Sequence, residues 1–149
     1  EPIAAGAGNS PADKLKDQKP MLEIQHIVAD TGPKPVGPFS HAVKAGDFVF
    51  VTGQMPTMPD DPSRLVEGGI QAQTHRVMEN LKFMLHSARL DFDRVVFARV
   101  YLMNFQDFGK MNVVHETYFG ADALPSRTYI GVTGLAVGAL VEIDFVVAA

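Results

Sequence analysis

Ser40-His-Ala-Val-Lys-Ala-Gly-Asp-Phe-Val-Phe-Val-Thr52 consists of two β-prone runs, Ser40 to Ala45 and Phe48 to Thr52, joined by Gly46-Asp47. It reads as a β-hairpin, because a two-residue loop suits a tight turn and glycine supplies the positive φ that such a turn needs. Upstream, Met21 to Val28 has the pattern of a first strand, ended by the Pro/Gly-rich Thr31-Gly-Pro-Lys-Pro-Val-Gly-Pro38. Downstream, Gly53 to Ser63 carries Pro56, Pro59 and Pro62 and reads as a loop. A long helix is predicted next. Ile70, Val77, Leu81, Met84, Leu85 and Ala88 fall on one stripe at helical spacing, while Gln73, Arg76, Glu79 and Lys82 lie elsewhere.

The β-branched and aromatic run within Arg94 to Met103 predicts another strand. Gln106 or Asp107 can cap a second helix, with Phe108, Met111, His115 or Val114, and Tyr118 as its apolar positions and Gly120 as its stop. Arg127 to Val132 and Leu140 to Val147 complete the strands. The order β-β-β-α-β-α-β-β describes an α+β domain with two helices on one face of a mixed sheet.

Length and composition agree with one such domain: 149 residues, 46% hydrophobic, with 13 glycines and 10 prolines. Thirteen Lys and Arg against 17 Asp and Glu give a formal charge of −4, which provides no general footprint for nucleic acid or an anionic membrane. Without cysteine there is no disulfide scaffold, thiolate nucleophile or Cys-based metal site. No apolar run reaches the roughly 20 residues of a membrane helix. Residues 1–20 differ from the rest. They are small, polar and proline-punctuated, and Ile3 and Leu15 are their only large apolar side chains. They read as a disordered extension or a tag, with residues 21–149 forming the single domain.

Strand parity divides the sheet. One set is nearly all aliphatic and is expected under the helices: Val49, Val51, Val96, Ala98, Val100, Leu102, Thr128, Ile130, Val132, Val141, Ile143, Phe145 and Val147. The opposite set is Phe48, Phe50, Thr52, Phe97, Arg99, Tyr101, Arg127, Tyr129, Glu142 and Asp144. It is too aromatic for water and too charged for a dry core. It suits either a contact with another copy of the chain or a half-exposed sheet with cross-strand pairs such as Arg99 with Asp144.

Five histidines are present, but none has HxH or HExxH spacing, and His75 and His86 are three helical turns apart, so no metal site is expected. Phosphate loops and the GxSxG elbow are absent. What remains is Arg127, on a strand after Pro125-Ser126, with Glu142 at matching parity on the next strand. An arginine fork can hold a substrate carboxylate through two parallel hydrogen bonds, and a glutamate can direct or deprotonate water. A buried structural ion pair would place the same two residues equally well.

The run Gly37-Pro-Phe-Ser-His-Ala-Val-Lys-Ala-Gly-Asp-Phe-Val-Phe-Val-Thr-Gly-Gln-Met-Pro56 resembles the GPYSxAVxxGxxxFxSGQxP signature of the RidA/YjgF family of reactive-intermediate deaminases. The likeness continues through Gln73-Thr74, Glu79-Asn-Leu-Lys82, Phe108, Asn112, Tyr118-Phe119, Pro125-Ser-Arg-Thr128 and Gly138-Ala-Leu-Val-Glu-Ile-Asp144. It implies a chorismate-mutase-like fold, a homotrimer with pockets between subunits, and cofactor-free hydrolysis of 2-imino or enamine acids to 2-keto acids and ammonia. By the same resemblance Arg127 holds the substrate carboxylate and Glu142 positions water. Phe39, Thr52, Gly53, Gln54, Asn112 and Tyr129 line the pocket. Phe39 stands where the family usually has tyrosine, Thr52 where serine is usual, and Tyr129 where a smaller residue is common. A cytoplasmic enzyme is expected, with no metal, nucleic-acid or membrane partner. The alternatives are a non-catalytic trimeric binder of small carboxylates and, against the acidic charge, an endoribonuclease or translation inhibitor.

Overall fold

A computed structural model of the protein describes residues 20–149. The expectation for residues 1–20 therefore lies, apart from Pro20, outside the described residues. The strands are β1 (Ile24–Ile27), β2 (Ala42–Ala45), β3 (Phe48–Gln54), β4 (Thr57–Met58), β5 (Asp61–Leu65), β6 (Val95–Leu102), β7 (Ser126–Gly131) and β8 (Val141–Ala148). The helices are α1 (Ile70–Ser87), between β5 and β6, and α2 (Phe108–His115), between β6 and β7.

Six strands form one mixed sheet in the order β1-β2-β3-β8-β6-β7, in which β6 and β7 pair in parallel and the other neighbours are antiparallel. The predicted α+β architecture is present, and the hairpin turns at Gly46 with φ +60°. The prolines between β3 and α1 did not prevent pairing: β4 and β5 form a small separate hairpin where a loop was expected. Pro62 is tolerated because a two-stranded ribbon leaves many backbone N–H groups without ladder partners.

Both helices cover one face. Val77, Met78, Leu81, Met84 and Leu85 of α1 and Met111 of α2 are buried against Val49, Val51, Ala98, Val100, Leu102, Val141, Ile143, Phe145 and Val147. Gln73, expected away from the apolar stripe, is buried, and its Oε1 accepts the Leu140 N–H at 2.8 Å. Asn80 is also buried, donating from Nδ2 to the carbonyls of Met55 and Thr57. These amides satisfy backbone groups that would otherwise be buried unpaired. Ahead of α2, Asn104 rather than Gln106 or Asp107 supplies the side-chain cap, accepting the Gln106 N–H and opening a short 3-10 turn.

Two parity assignments are corrected. A register shift between Val95 and Phe97 opposite β8 turns Val96 outward and buries Val95 in its place. On β7, Arg127 pairs with Ala98 and Tyr129 with Val100, while Thr128 pairs with Arg99 and Ile130 with Tyr101. Paired residues share a face. Arg127 and Tyr129 therefore lie on the helix side, whereas Thr128 and Ile130 lie on the uncovered side. Val132 falls beyond the strand.

Candidate functional site

The uncovered face carries Phe48, Phe50, Phe97, Arg99, Tyr101, Ile130, Glu142 and Asp144. Phe48, Phe50 and Ile130 are each more than two-fifths exposed. The expected Arg99–Asp144 pair is formed: Arg99 Nε donates to both carboxylate oxygens, at 2.8 and 3.2 Å. Tyr101 adds its hydroxyl to Asp144 at 3.0 Å. The Arg99 guanidinium is held above its usual range chiefly by this hydrogen bond, and the Tyr101 phenol is raised chiefly by burial.

Glu142 stands beside that saturated pair, and among the described residues it makes no ion pair of its own. Burial, and secondarily the charge of Asp144, raise its carboxyl above the ordinary carboxylate value. Its seat depends on Gly53, where the β3–β8 register shifts between Val51 and Gln54. A Cβ on Gly53 would collide with the Glu142 carboxylate. Phe39, Thr52, Gly53, Gln54 and Glu142 line one cavity of about 230 Å³. Thr52 Oγ1 donates to the Ser40 carbonyl at 2.7 Å, so it offers a ligand only lone pairs. Gln54 Nε2 donates to the Thr52 carbonyl at 3.2 Å.

His41 fixes a wall of this cavity. It is buried; Nδ1 accepts the Ala29 N–H at 2.7 Å, and Nε2 lies 2.9 Å from the Pro33 carbonyl. Nδ1 is therefore the acceptor and Nε2 the donor, and the ring tacks the Pro33–Val36 loop to β2. Val137, opposite, holds φ +54°, a strained conformation for a β-branched residue.

The remaining expected residues gather elsewhere. Asn112, Arg127 and Tyr129, with His115, Glu116, Leu124 and Pro125, line a second cavity of about 350 Å³. It lies on the helix side of the edge strand β7. Arg127 has no carboxylate partner among the described residues. Its guanidinium carbon instead lies 5.7 Å from the Phe108 ring centre and 5.6 Å from that of Tyr129, and those two rings stack at 4.1 Å. Arg127 Nη1 donates to His115 Nδ1 at 3.3 Å.

The matching parity expected for Arg127 and Glu142 is thus not found. They occupy opposite faces, with β6 between their strands. Within one chain they form neither an ion pair nor a shared pocket. Sequence reading also missed Phe108 and His115 as neighbours of Arg127. The signal for His115 was its spacing of four from Met111, which turns both inward.

The helices packed on one face of this mixed sheet, together with an arginine and a glutamate that make no ion pair among the described residues, define an α+β protein with two separate cavities, each holding one of those charged groups. Comparison with known proteins gives the lineage. The family model described as Endoribonuclease L-PSP matches residues 29–149. A RutC family protein of Pyrococcus abyssi is 42% identical over 118 residues, 79% of this chain and 91% of that protein. The mouse protein named 2-iminobutanoate/2-iminopropanoate deaminase is 34% identical over 122 residues, 81% of this chain and 89% of its own. The crystal structure of RidA from an Antarctic Psychrobacter superposes with a TM-score of 0.78 at 33% identity, covering 84% of this chain and 99% of that one. YEO7 from yeast gives a TM-score of 0.80 at 29% identity, covering 85% and 98%. The chain belongs to the RidA/YjgF family.

Proposed function

We propose that this protein is a 2-imino-acid deaminase whose active site is assembled between subunits of a homotrimer. The carrying observation is that Arg127 and Glu142, each without an ionic partner among the described residues, lie on opposite faces of one sheet. A substrate small enough to be an imino acid can meet both only if one copy supplies the arginine and another the glutamate. The exposed Phe48, Phe50 and Ile130 on the Glu142 face give such a contact apolar area to bury.

In this reading the Arg127 fork holds the substrate carboxylate, and Phe108 and Tyr129 keep the guanidinium oriented. Glu142, more basic than an ordinary carboxylate, accepts a proton from water as the water oxygen bonds to C2. The C=N π pair moves to nitrogen, giving a carbinolamine. Glu142 returns its proton to nitrogen to complete that species, and transfer of the hydroxyl proton through Glu142 to nitrogen, as C2–O becomes a carbonyl and C–N breaks, releases ammonia and a 2-keto acid. The balance closes with water alone, so no cofactor or metal is invoked. Phe39, Thr52, Gly53 and Gln54 shape the Glu142 half of the pocket; Asn112 and Tyr129 shape the other. The mouse relative's name supports this substrate class.

Residues 21–149 are proposed to be the working unit, acting in the cytoplasm on a small molecule, without nucleic-acid or membrane partners. No helix among the described residues is long and apolar enough to cross a membrane. A second reading, a trimeric binder of small carboxylates without turnover, is favoured by Phe39, which offers no hydroxyl to the Glu142 cavity. Ammonia release from freshly generated 2-aminoacrylate or 2-iminobutanoate decides between them. Release that depends on Arg127 supports the deaminase, and Arg127-dependent binding of a keto acid without release supports the binder. RNA cleavage that follows Arg127 would favour instead the endoribonuclease activity for which the family model is named.

A further inference from the structure

One buried titratable group has no part in the steps above. His115, at the end of α2, is 3% exposed, and among the described residues its ring has one hydrogen-bond neighbour, the Arg127 guanidinium, 3.3 Å from Nδ1. Guanidinium nitrogens only donate, so Nδ1 must accept, which places the proton of a neutral ring on Nε2. That Nε2, and Oδ1 of Asn112 on the same helix, are both buried and without a hydrogen-bond partner among the described residues, and both residues belong to the wall of the Arg127 cavity. Buried polar atoms left without a partner are uncommon in a packed core, and here they sit beside a cation that has no carboxylate partner among the described residues.

The choice of partner for the arginine matters chemically. A carboxylate at the position of His115 would orient the guanidinium but cancel its charge and compete with the ligand. An apolar ring would leave the charge intact but the fork free to turn. A neutral imidazole orients without cancelling and occupies one of five N–H donors.

We propose that His115 is a positioning residue for Arg127: a neutral, Nε2-protonated imidazole that fixes the guanidinium against Phe108 and Tyr129 and leaves its charge available to a ligand carboxylate. The inference rests on the reading of Arg127 as a carboxylate holder. The other charged or titratable groups around the ring are Arg127 and Tyr129 from β7 and Glu116 on its own side. Burial, aided by the arginine, holds the imidazole down to about 4, so it stays neutral across the working range.

The test uses three variants of the full chain: His115→Asn, which keeps an acceptor near Nδ1; His115→Phe, which keeps a ring without an acceptor; and His115→Glu, which installs a competing carboxylate. The readouts are calorimetric binding of 2-oxobutanoate, KM and kcat for ammonia release, and thermal unfolding. His115→Phe is expected to weaken 2-oxobutanoate binding and raise KM by about tenfold with kcat nearly unchanged, and His115→Asn to recover most of that loss. His115→Glu is expected to abolish binding. Unchanged binding in His115→Phe, or no rescue by His115→Asn, overturns the proposal, as does a wild type that does not bind 2-oxobutanoate. If the wild type binds the keto acid through Arg127 but releases no ammonia, the deaminase reading fails while the binding series still judges His115. Nitrogen-15 NMR of the wild type gives a reading independent of folding in the variants. One imidazole is expected to stay in the neutral Nε2–H form until the pH nears about 4, and an Nδ1–H form or an ordinary titration contradicts the assignment.

Discussion

Arg127 on β7 pairs with Ala98 and faces the helices, whereas Glu142 on β8 pairs with Tyr101 and faces away from them, so the sheet itself separates the two residues. On the proposed reading such a chain holds two half-sites, each chemically incomplete: Arg127 would hold an anion with nothing beside it to activate water, and Glu142 would present a base with nothing beside it to hold a substrate.

Replacing Arg127 by alanine should lower kcat/KM for imine hydrolysis by at least about a hundredfold, because a two-bond, charge-assisted contact to the substrate is removed. Arg127 makes no ion pair among the described residues, but it packs on Phe108 and Tyr129 and donates to His115, so its loss should lower the unfolding temperature only modestly. Arg127→Lys should recover only part of the activity, because an ammonium cannot reproduce the fork. Steady-state ammonia release together with thermal unfolding checks all three statements.

Gly53→Ala should cost activity rather than fold. The backbone at Gly53 is not in the left-handed region, but an added methyl meets the Glu142 carboxylate. The carboxylate must swing aside, and kcat is expected to fall about tenfold with a smaller change in KM. An unchanged kcat would mean that the position of Glu142 is not critical.

The pH profile should report Glu142 directly. Its base form is required, and burial raises its pKa, so the acidic limb of kcat/KM should lie above the range of an exposed carboxylate. Glu142→Gln should remove that limb along with most of the activity. A limb at the ordinary carboxylate position would show that another group limits the reaction.

His115 should leave a signature in stability. Its imidazole is held down from 6.5 to about 4 in the folded chain, so between those values the unfolded state binds more protons. The stabilisation is complete above the unfolded value and is lost as pH falls from 6.5 towards 4. The loss is a few kcal/mol in order of magnitude. Denaturant titrations across this window should show the slope in the wild type and a flatter line in His115→Asn.

Much of the fold was legible because its elements are locally consistent. The Gly46-Asp47 turn, the α1 stripe and the aliphatic phase of β8 each announce themselves through periodicity. The two parity failures share a cause, which is that parity within a strand does not reveal how the strand meets its neighbour. The shift after Val95 turned Val96 outward, and the pairing of β7 with β6 reversed the faces of Arg127 and Ile130. Ile130 looked like core because it is apolar, yet on an edge strand both faces are partly open and its neighbour Tyr101 lies on the uncovered side. Arg127 and Glu142 stand out from the residues alone, whereas Phe39, Thr52, Gly53, Gln54, Asn112 and Tyr129 came from resemblance. Their division between two cavities could not be read from either, since it depends on the three-dimensional pairing of β6 with both β7 and β8.

The shared-site claim has one direct test. Arg127→Ala and Glu142→Ala chains, each inactive alone, are mixed under conditions that exchange subunits, with mixed trimers verified by native mass spectrometry. If each site takes its arginine and glutamate from different copies, random mixing restores some sites with both residues intact. Ammonia release should then return to about a quarter of the wild-type rate. Mixed trimers that form but stay inactive would contradict the account.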